Sequence, residues 1–254
     1  MQVCFFKAHS EDYQTRTELH GYGARFIPVL DQTYTSEPLT RLLAQGPATI
    51  SGIIITSQRS VTTLAQSCQL LDSQQCQAWQ GIPLYIVGET TTKKLQSTLD
   101  QRLFFLPNQP PPVIVTTDHA SALADQLLQQ QQKQHLLFLA GDKRRDDLPN
   151  RLCKGGYKLT EIQTYETCRH PDLPRLLQDH APQQQDWSVF FSPSGVDYFL
   201  SLRPDPSTKI AAIGNTTASH LQKLGYKVHA VARKPDAPHL LESMIEYDQN
   251  SIVD

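Results

Sequence analysis

Short apolar runs alternate with polar stretches of helical character along the whole chain. Runs such as 53–55 and 136–139 contain no polar residue, which is typical of strands buried on both faces in parallel sheets covered by helices. Strands that alternate with helices in this way indicate a doubly wound α/β fold. The pattern predicts five strands in each half: 3–7, 25–30, 52–56, 84–87 and 102–106, then 136–140, 158–165, 187–191, 209–213 and 227–232.

Two phrases of the sequence occur twice. An apolar run, a hydroxyl-rich turn and a helix start span residues 52–61 and return at 188–196. A second phrase spans 84–92 and returns at 210–218. No repeat of roughly 20–50 residues fits this spacing, so we infer two copies of one α/β unit. A length of 254 residues accommodates two such domains.

Composition and charge exclude several classes of function. A formal net charge of -2 gives no overall attraction for nucleic acid or for an anionic membrane surface. No segment reaches the roughly 20 apolar residues that cross a bilayer. The five cysteines form no CxxC pair, and the nine histidines show no metal-ligand spacing. We therefore expect a soluble cytoplasmic protein with reduced thiols, no metal and no organic cofactor.

Hydroxyl side chains mark the turns where predicted strands end and helices begin. Because such turns converge on one crevice in a parallel sheet, their amides and hydroxyls can hold an anionic ligand. The alternative for each residue is ordinary helix N-capping, which contributes about 1 kcal/mol. Arg59 could add positive charge, as could Lys7 and Arg145, or each could be a solvated surface charge. The candidate ligand-binding hydroxyls are Ser57, Thr91, Ser192, Ser194, Thr216 and Thr217.

In order and spacing, six pieces of the chain resemble the uroporphyrinogen-III synthase family. They are residues 56–59, 87–91, 141–149, 164–167, 190–195 and 212–218. The family pattern commonly has proline where Gln58 and Asn215 stand, and a Gly-Asn-Ala turn where residues 118–120 read Asp-His-Ala. The resemblance implies a cofactor-independent lyase of porphyrin and heme biosynthesis. Such an enzyme cyclises hydroxymethylbilane to uroporphyrinogen III with loss of water and inversion of the terminal pyrrole ring.

The resemblance also implies a discontinuous domain arrangement. One flavodoxin-like domain is expected from residues 1–35 and 170–254, and the other from residues 36–169. A two-stranded connector near residues 30–37 and 165–172 is expected to join them, with the substrate cleft between the two domains. We expect a monomer that makes transient contact with the enzyme preceding it in the pathway.

Tyr165 is the catalytic candidate that the resemblance implies, as a donor to the leaving hydroxyl of the substrate. The alternative is a tyrosine whose apolar body packs while its hydroxyl stays in water. A rival function for the chain is a non-catalytic module that binds a tetrapyrrole or another small anion on the same fold. The presence of Tyr165 together with Thr91 and Thr217 favours the enzyme, because a binding module needs the turns but not the tyrosine.

Overall fold

Two β-sheets, each accompanied by helices, organise the chain in the computed structural model, which describes residues 1–98, 113–180, 182–204 and 208–251. The chain divides into two compact units, the first comprising residues 1–32 and 168–254 and the second residues 33–167. The elements of the described residues, in chain order, are β1 (Gln2–Phe6), α1 (Glu11–Leu19), β2 (Gly23–Phe26), β3 (Leu30–Tyr34), α2 (Glu37–Ala44), β4 (Ile50–Ile55), α3 (Gln58–Gln69), α4 (Ser73–Ala78), β5 (Leu84–Val87), α5 (Glu89–Thr98), β6 (Ile114–Thr117), α6 (Ala120–Leu128), β7 (His135–Gly141), α7 (Asp147–Lys154), β8 (Lys158–Arg169), α8 (Leu173–Asp179), β9 (Trp187–Phe190), α9 (Pro193–Leu200), β10 (Lys209–Ala212), α10 (Asn215–Lys223), β11 (Ala230–Val231) and α11 (Ala237–Asn250).

The first unit contains a parallel sheet in the order β11-β10-β9-β1-β2. Successive side chains of β1 enter opposite cores, as the pleat of a strand requires. Phe5 packs with Tyr13 of α1 on one face, whereas Phe6 stacks on Phe190 and contacts Phe199 of α9 on the other. Helices therefore cover both faces of this sheet, and the four residues of β1 that follow Gln2 are accordingly apolar and buried.

The second unit contains the sheet order β3-β8-β7-β4-β5-β6, in which the pairs from β8 to β6 are parallel. The same alternation holds in β4. Ile53 and Ile55 belong to the core that includes α3, and Ile54 belongs to the core that includes α6. All three side chains are fully buried. The doubly wound α/β class predicted from the apolar runs is confirmed.

The two units share one strand order with a different chain order. The series β11-β10-β9-β1-β2 corresponds to β6-β5-β4-β7-β8, and the repeated phrases fall at equivalent strand-to-helix turns. In the first unit β1 and β2 come before the other three strands, so this unit is a circular permutation of the second. In the first unit the connections from β9 and from β1 lead toward opposite edges of the sheet, and in the second unit the same is true of β4 and β7. Ligands of open α/β sheets bind beyond the carboxyl ends of the strands at such switch points.

Several strand predictions differ from the structure. The single strand expected at 25–30 is two strands, β2 and β3, separated by a segment that contains Pro28, which has no amide to donate to a ladder. The strand expected at 227–232 is only Ala230–Val231, and β8 continues beyond 165 to Arg169. Strand β6 was not expected, and the expected strand 102–106 lies outside the described residues.

The chain passes from one unit to the other within two neighbouring strands, β3 and β8. These strands overlap the connector expected near 30–37 and 165–172.

In the part of the chain that the structure describes, no helix has the length and apolar character needed to cross a bilayer.

Candidate functional site

The hydroxyls of Ser57 and Ser192 cap the helices that follow them. Ser57 has extended backbone angles, and its Oγ accepts the Arg59 amide at 3.2 Å. Ser192 does the same at the start of α9, where its Oγ accepts the Gly195 amide at 3.1 Å. Both side chains are partly exposed at the carboxyl end of their sheet. In the structure these two hydroxyls therefore act as helix N-caps, which was the alternative to ligand binding. The other amides in the first turn of each helix lie at the same edge of the sheet.

Tyr165 is half-buried on β8 and lies against β7. An ideal β-carbon on Gly141 would stand 2.3 Å from Cζ of Tyr165, so the ring occupies the space that glycine leaves open. The Arg59 guanidinium carbon lies 5.5 Å from the ring centroid. Within the described residues the Tyr165 hydroxyl has no hydrogen-bond partner. The structure thus brings Arg59 and Tyr165 together and leaves the phenol free to donate.

A buried hydrogen-bond network fixes the strand of Tyr165 to the helix of Arg59. Thr164 Oγ1 donates to the Ala140 carbonyl at 2.9 Å and lies 3.0 Å from Ser60 Oγ. Thr63 Oγ1 donates to the Thr164 carbonyl at 2.8 Å. Ser60, Thr63 and Thr164 are all fully buried. Because unpaired hydroxyls in a core are costly, this mutual satisfaction defines the register of α3 against β8.

Sequence reasoning missed this network, although a signal for it exists. Ser60, Thr63 and Ser67 are spaced three and four residues apart, so they lie on one face of α3 together with buried apolar residues. A stripe of hydroxyls at core spacing indicates polar contacts between a helix and its sheet. Gly141 carried no signal, because only the fold shows which side chain approaches it.

Thr91 occupies a different environment from Ser57. It lies in the first turn of α5, its side chain is 4% exposed, and its amide donates to the Gly88 carbonyl at 3.1 Å. Gly88 has φ +90°, a conformation that glycine adopts without strain. Thr91 therefore supports the turn after β5, and the groups nearest the end of that strand are those of Gly88 and Glu89.

Three predicted residues of the first unit line one cavity. This cavity has a volume of about 480 Å³ and lies at the carboxyl ends of β9, β10 and β11. Ser192, Thr216 and Thr217 contribute to its lining, with Thr216 exposed and Thr217 3% exposed. Helix α10 starts after Gly214, which brings no side chain to cap the first amides. Those amides form a site suited to an anion.

Ser194, Arg233 and Lys234 lie at the same edge of the first unit. Ser194 lies in the first turn of α9 but does not line the cavity. Arg233 and Lys234 line it after β11 and were not predicted, although two positive charges directly after a strand were visible in the sequence. Arg233 forms an exposed ion pair with Glu246 at 2.9 Å. Arg145 is exposed in the second unit.

Acidic and histidine side chains do not form a metal-binding cluster in the described ranges. No group of three or more His, Cys, Asp or Glu residues there has the arrangement to hold an ion. The groups at the strand ends are instead amides, hydroxyls and cations. Such groups suit carboxylate ligands.

Comparison with known proteins gives one consistent family. A family model described as uroporphyrinogen-III synthase HemD matches residues 11–242. The uroporphyrinogen-III synthase of Schizosaccharomyces pombe is 28% identical over 245 residues, which cover 95% of this chain and 94% of that protein. The uroporphyrinogen-III synthase of Saccharomyces cerevisiae is 28% identical over 262 residues, with 94% and 93% covered.

Solved structures show the same fold. The crystal structure of uroporphyrinogen-III synthetase from Helicobacter pylori matches with a TM-score of 0.61 and 20% identity over 96% of this chain and 98% of that one. A mutant uroporphyrinogen III synthase from Thermus thermophilus matches with a TM-score of 0.50 and 19% identity, covering 98% and 99%. At sequence identities this low, the structural similarity supports a shared fold and nothing further.

Proposed function

The chain belongs to the uroporphyrinogen-III synthase family, and from that premise we propose that it cyclises hydroxymethylbilane to uroporphyrinogen III in porphyrin and heme biosynthesis. Water is lost, and the terminal pyrrole ring is inverted. The observation that carries the proposal is the position of Tyr165, whose ring lies beside Arg59 near the switch point of the second unit. Among the described residues its hydroxyl has no hydrogen-bond partner. A binding module would need the helix-start turns but not a phenol held in this way.

The substrate supplies most of the reactivity. Expulsion of its hydroxyl by the electron-rich pyrrole gives an azafulvene, which the substituted carbon of the terminal ring attacks to form a spiro intermediate. The protein must hold these carbons in contact, and such positioning contributes up to about 7–11 kcal/mol to a barrier. Closure without this constraint gives the symmetric type I isomer, so the bound geometry also decides the product.

We assign Tyr165 the hydrogen bond to the leaving hydroxyl. A phenol is a weak acid at neutral pH, so it stabilises the departing oxygen by donation more readily than by complete proton transfer. The contact with Gly141 limits where the ring can lie, and the network of Ser60, Thr63 and Thr164 holds the adjacent backbone. Arg59 beside the ring supplies a positive charge for a substrate carboxylate.

Helix starts in each unit are the proposed carboxylate sites. In the second unit these are the turns of Ser57 and Thr91, and in the first unit those of Ser192, Thr216 and Thr217, with Ser194 in the same turn as Ser192. For the buried Thr91 and Thr217 the proposal concerns the turn, not the side-chain oxygen. Each charge-assisted hydrogen bond contributes about 1.5–3 kcal/mol.

The decisive experiment determines which uroporphyrinogen isomer the protein forms. Protein dialysed against a chelator is mixed with freshly made hydroxymethylbilane, and the oxidised porphyrin products are separated by chromatography. We expect the type III isomer in excess of the type I isomer that forms without protein. Type I product alone, at a rate equal to the protein-free control, would mean that the chain is not a synthase and would favour a non-catalytic binding module.

The cellular setting is part of the same proposal. None of the five cysteines forms a disulfide, as expected in a reducing compartment such as the cytoplasm. We assign a monomer that receives its substrate from the preceding enzyme in transient contact. Light scattering of the isolated protein tests the monomer, and a mass of two chains at micromolar concentration would contradict it.

A further inference from the structure

Lys7 is the first residue after β1, the strand that borders the switch point of the first unit. Its neighbour across that point is Phe191, the first residue after β9. The crevice beyond two such strands is where open α/β sheets bind ligands. Lys7 therefore puts a positive charge at the place in the first unit where chain topology favours a ligand.

Two aromatic rings hold the Lys7 ammonium in position. Nζ lies 4.2 Å from the centroid of the Tyr13 ring and 4.8 Å from that of Phe191. The two rings themselves meet edge to face, with centroids 5.4 Å apart. Both distances are within the range of cation–π attraction. Unlike a typical surface lysine, Lys7 is thus already ordered before a ligand arrives.

The ammonium has no carboxylate partner among the described residues. No Asp or Glu oxygen there lies within 4.0 Å of Nζ, and Asp12, whose charge acts on Lys7, is itself paired with Arg16 at 2.6 Å. Burial lowers the pKa of Lys7, and the charge of Asp12 opposes that shift. Lys209, another lysine over an aromatic ring, has instead the carboxylate of Asp248 as partner.

We infer that Lys7 binds a carboxylate of the tetrapyrrole substrate, an inference that rests on the proposed function. Phe191, which contacts the ammonium, also lines the cavity at the starts of α9 and α10. A polycarboxylate held by the amides of those helix starts can place another of its carboxylates near Lys7, because Phe191 borders both the cavity and the ammonium. The two rings exclude water from part of the ammonium, which strengthens its attraction for that anion.

Three variants separate binding from packing. Lys7→Met keeps an unbranched stem between the rings but removes the charge, and Lys7→Arg keeps the charge. Lys133→Met is the matched control, because Lys133 Nζ also lies over an aromatic ring, 5.3 Å from the centroid of Tyr157. Lys133 precedes β7 and is therefore at the opposite edge of its sheet from the strand ends that bind ligands.

The test compares KM and kcat for hydroxymethylbilane between wild type and these variants. We expect Lys7→Met to raise KM about tenfold, equivalent to about 1.4 kcal/mol, with kcat within about twofold of wild type. Lys7→Arg should recover most of that loss, and Lys133→Met should leave KM unchanged. If Lys7→Met keeps the wild-type KM, or lowers kcat alone, while wild type forms the type III isomer, the inference is wrong and the proposed function stands.

A second measurement on the wild-type protein does not depend on a variant that folds. Lysine amines are acetylated with and without saturating uroporphyrinogen III, kept reduced, and the modified sites are quantified by mass spectrometry. We expect the product to slow acetylation of Lys7 several-fold and to leave Lys133 unaffected. Equal labelling of Lys7 in both states overturns the inference. Failure of wild type to form the type III isomer overturns both the proposed function and this inference.

Discussion

The ring of Tyr165 lies directly against the α-carbon of Gly141, so that a β-carbon at position 141 would be 2.5 Å from the phenol oxygen and 2.3 Å from Cζ. The two residues are partners in the β7–β8 register, at an irregularity that follows Ala140. The glycine thus provides the space in which the ring lies. A side chain there forces the phenol to move.

We expect Gly141→Ala to reduce kcat for hydroxymethylbilane by about tenfold or more, because about 1.4 kcal/mol of lost transition-state stabilisation has that effect. The measurement is kcat of the purified variant, with circular dichroism to show that it is folded. In a Tyr165→Phe background the same substitution should cause little further loss, because the group it displaces is already absent. Equal losses in both backgrounds would show that Gly141 acts on something other than the phenol.

Tyr165→Phe removes only the hydroxyl, since the ring still fills the space over Gly141. We expect kcat to fall about tenfold or more, with KM and the melting temperature near those of wild type, because the lost interaction is made to the leaving group. Steady-state kinetics and thermal unfolding measure the two effects. Activity within about twofold of wild type would return Tyr165 to a packing role.

The buried hydroxyl network should be a source of stability. Thr164→Val preserves the side-chain shape but removes the donor to the Ala140 carbonyl and the partner of Ser60. Loss of these two buried hydrogen bonds should lower the free energy of unfolding by about 1–3 kcal/mol, which urea denaturation measures. Thr62→Val, at a partly exposed position of the same helix, is the control and should change the free energy of unfolding by less than about 0.5 kcal/mol.

Helix α3 begins at Gln58, where the family commonly has proline. Ser57 before it has φ -148° and ψ 140°, values that a residue preceding proline adopts readily. Ser192 has the same extended conformation before Pro193 at the start of α9. Gln58→Pro should therefore raise stability by about 0.4–1 kcal/mol, since it reduces the entropy of the unfolded chain. Thermal unfolding of Gln58→Pro and of the control Gln58→Ala measures it, and a lower melting temperature for the proline variant would contradict the prediction.

Acid should weaken the first unit through Asp248. This carboxylate accepts hydrogen bonds from Trp187 Nε1 at 3.0 Å and the Tyr22 hydroxyl at 2.7 Å, and it pairs with Lys209. Burial is the largest single influence and raises its pKa, but the bonds from Lys209, Trp187 and Tyr22 together hold the pKa below its usual range. Because the folded-state pKa is depressed, the stabilisation is complete above the unfolded value near 4 and is lost as pH falls through the folded value.

Asp248→Asn tests that assignment. Near neutral pH we expect the variant to lose about 1–3 kcal/mol of unfolding free energy, and the gap from wild type should narrow below about pH 4. The control Asp12→Asn removes an exposed pair with Arg16 and should change stability by less than about 1 kcal/mol. A gap that stays constant from neutral pH to the acid transition would show that the charge of Asp248 contributes nothing.

The sequence alone identified the fold class, most of the strands and the turns that carry the candidate site. Unbroken apolar runs such as Ile53 to Ile55 indicate burial on both faces, and that property is local to the strand. The duplicated phrases located Ser57 and Ser192 at equivalent helix starts because capping depends on only a few neighbouring residues. Pro28 was the local signal that should have ended the strand expected at 25–30.

What the tertiary structure decided is which residues meet across long stretches of chain. Ser60 contacts Thr164, and Gly141 makes room for Tyr165, because parallel strands are joined through helices that separate partners in sequence. Lys7 reaches Phe191 for the same reason, since its unit is built from both ends of the chain. Local patterns determine burial and helix ends, whereas the pairing of distant side chains depends on sheet order and register, which no single segment of sequence contains.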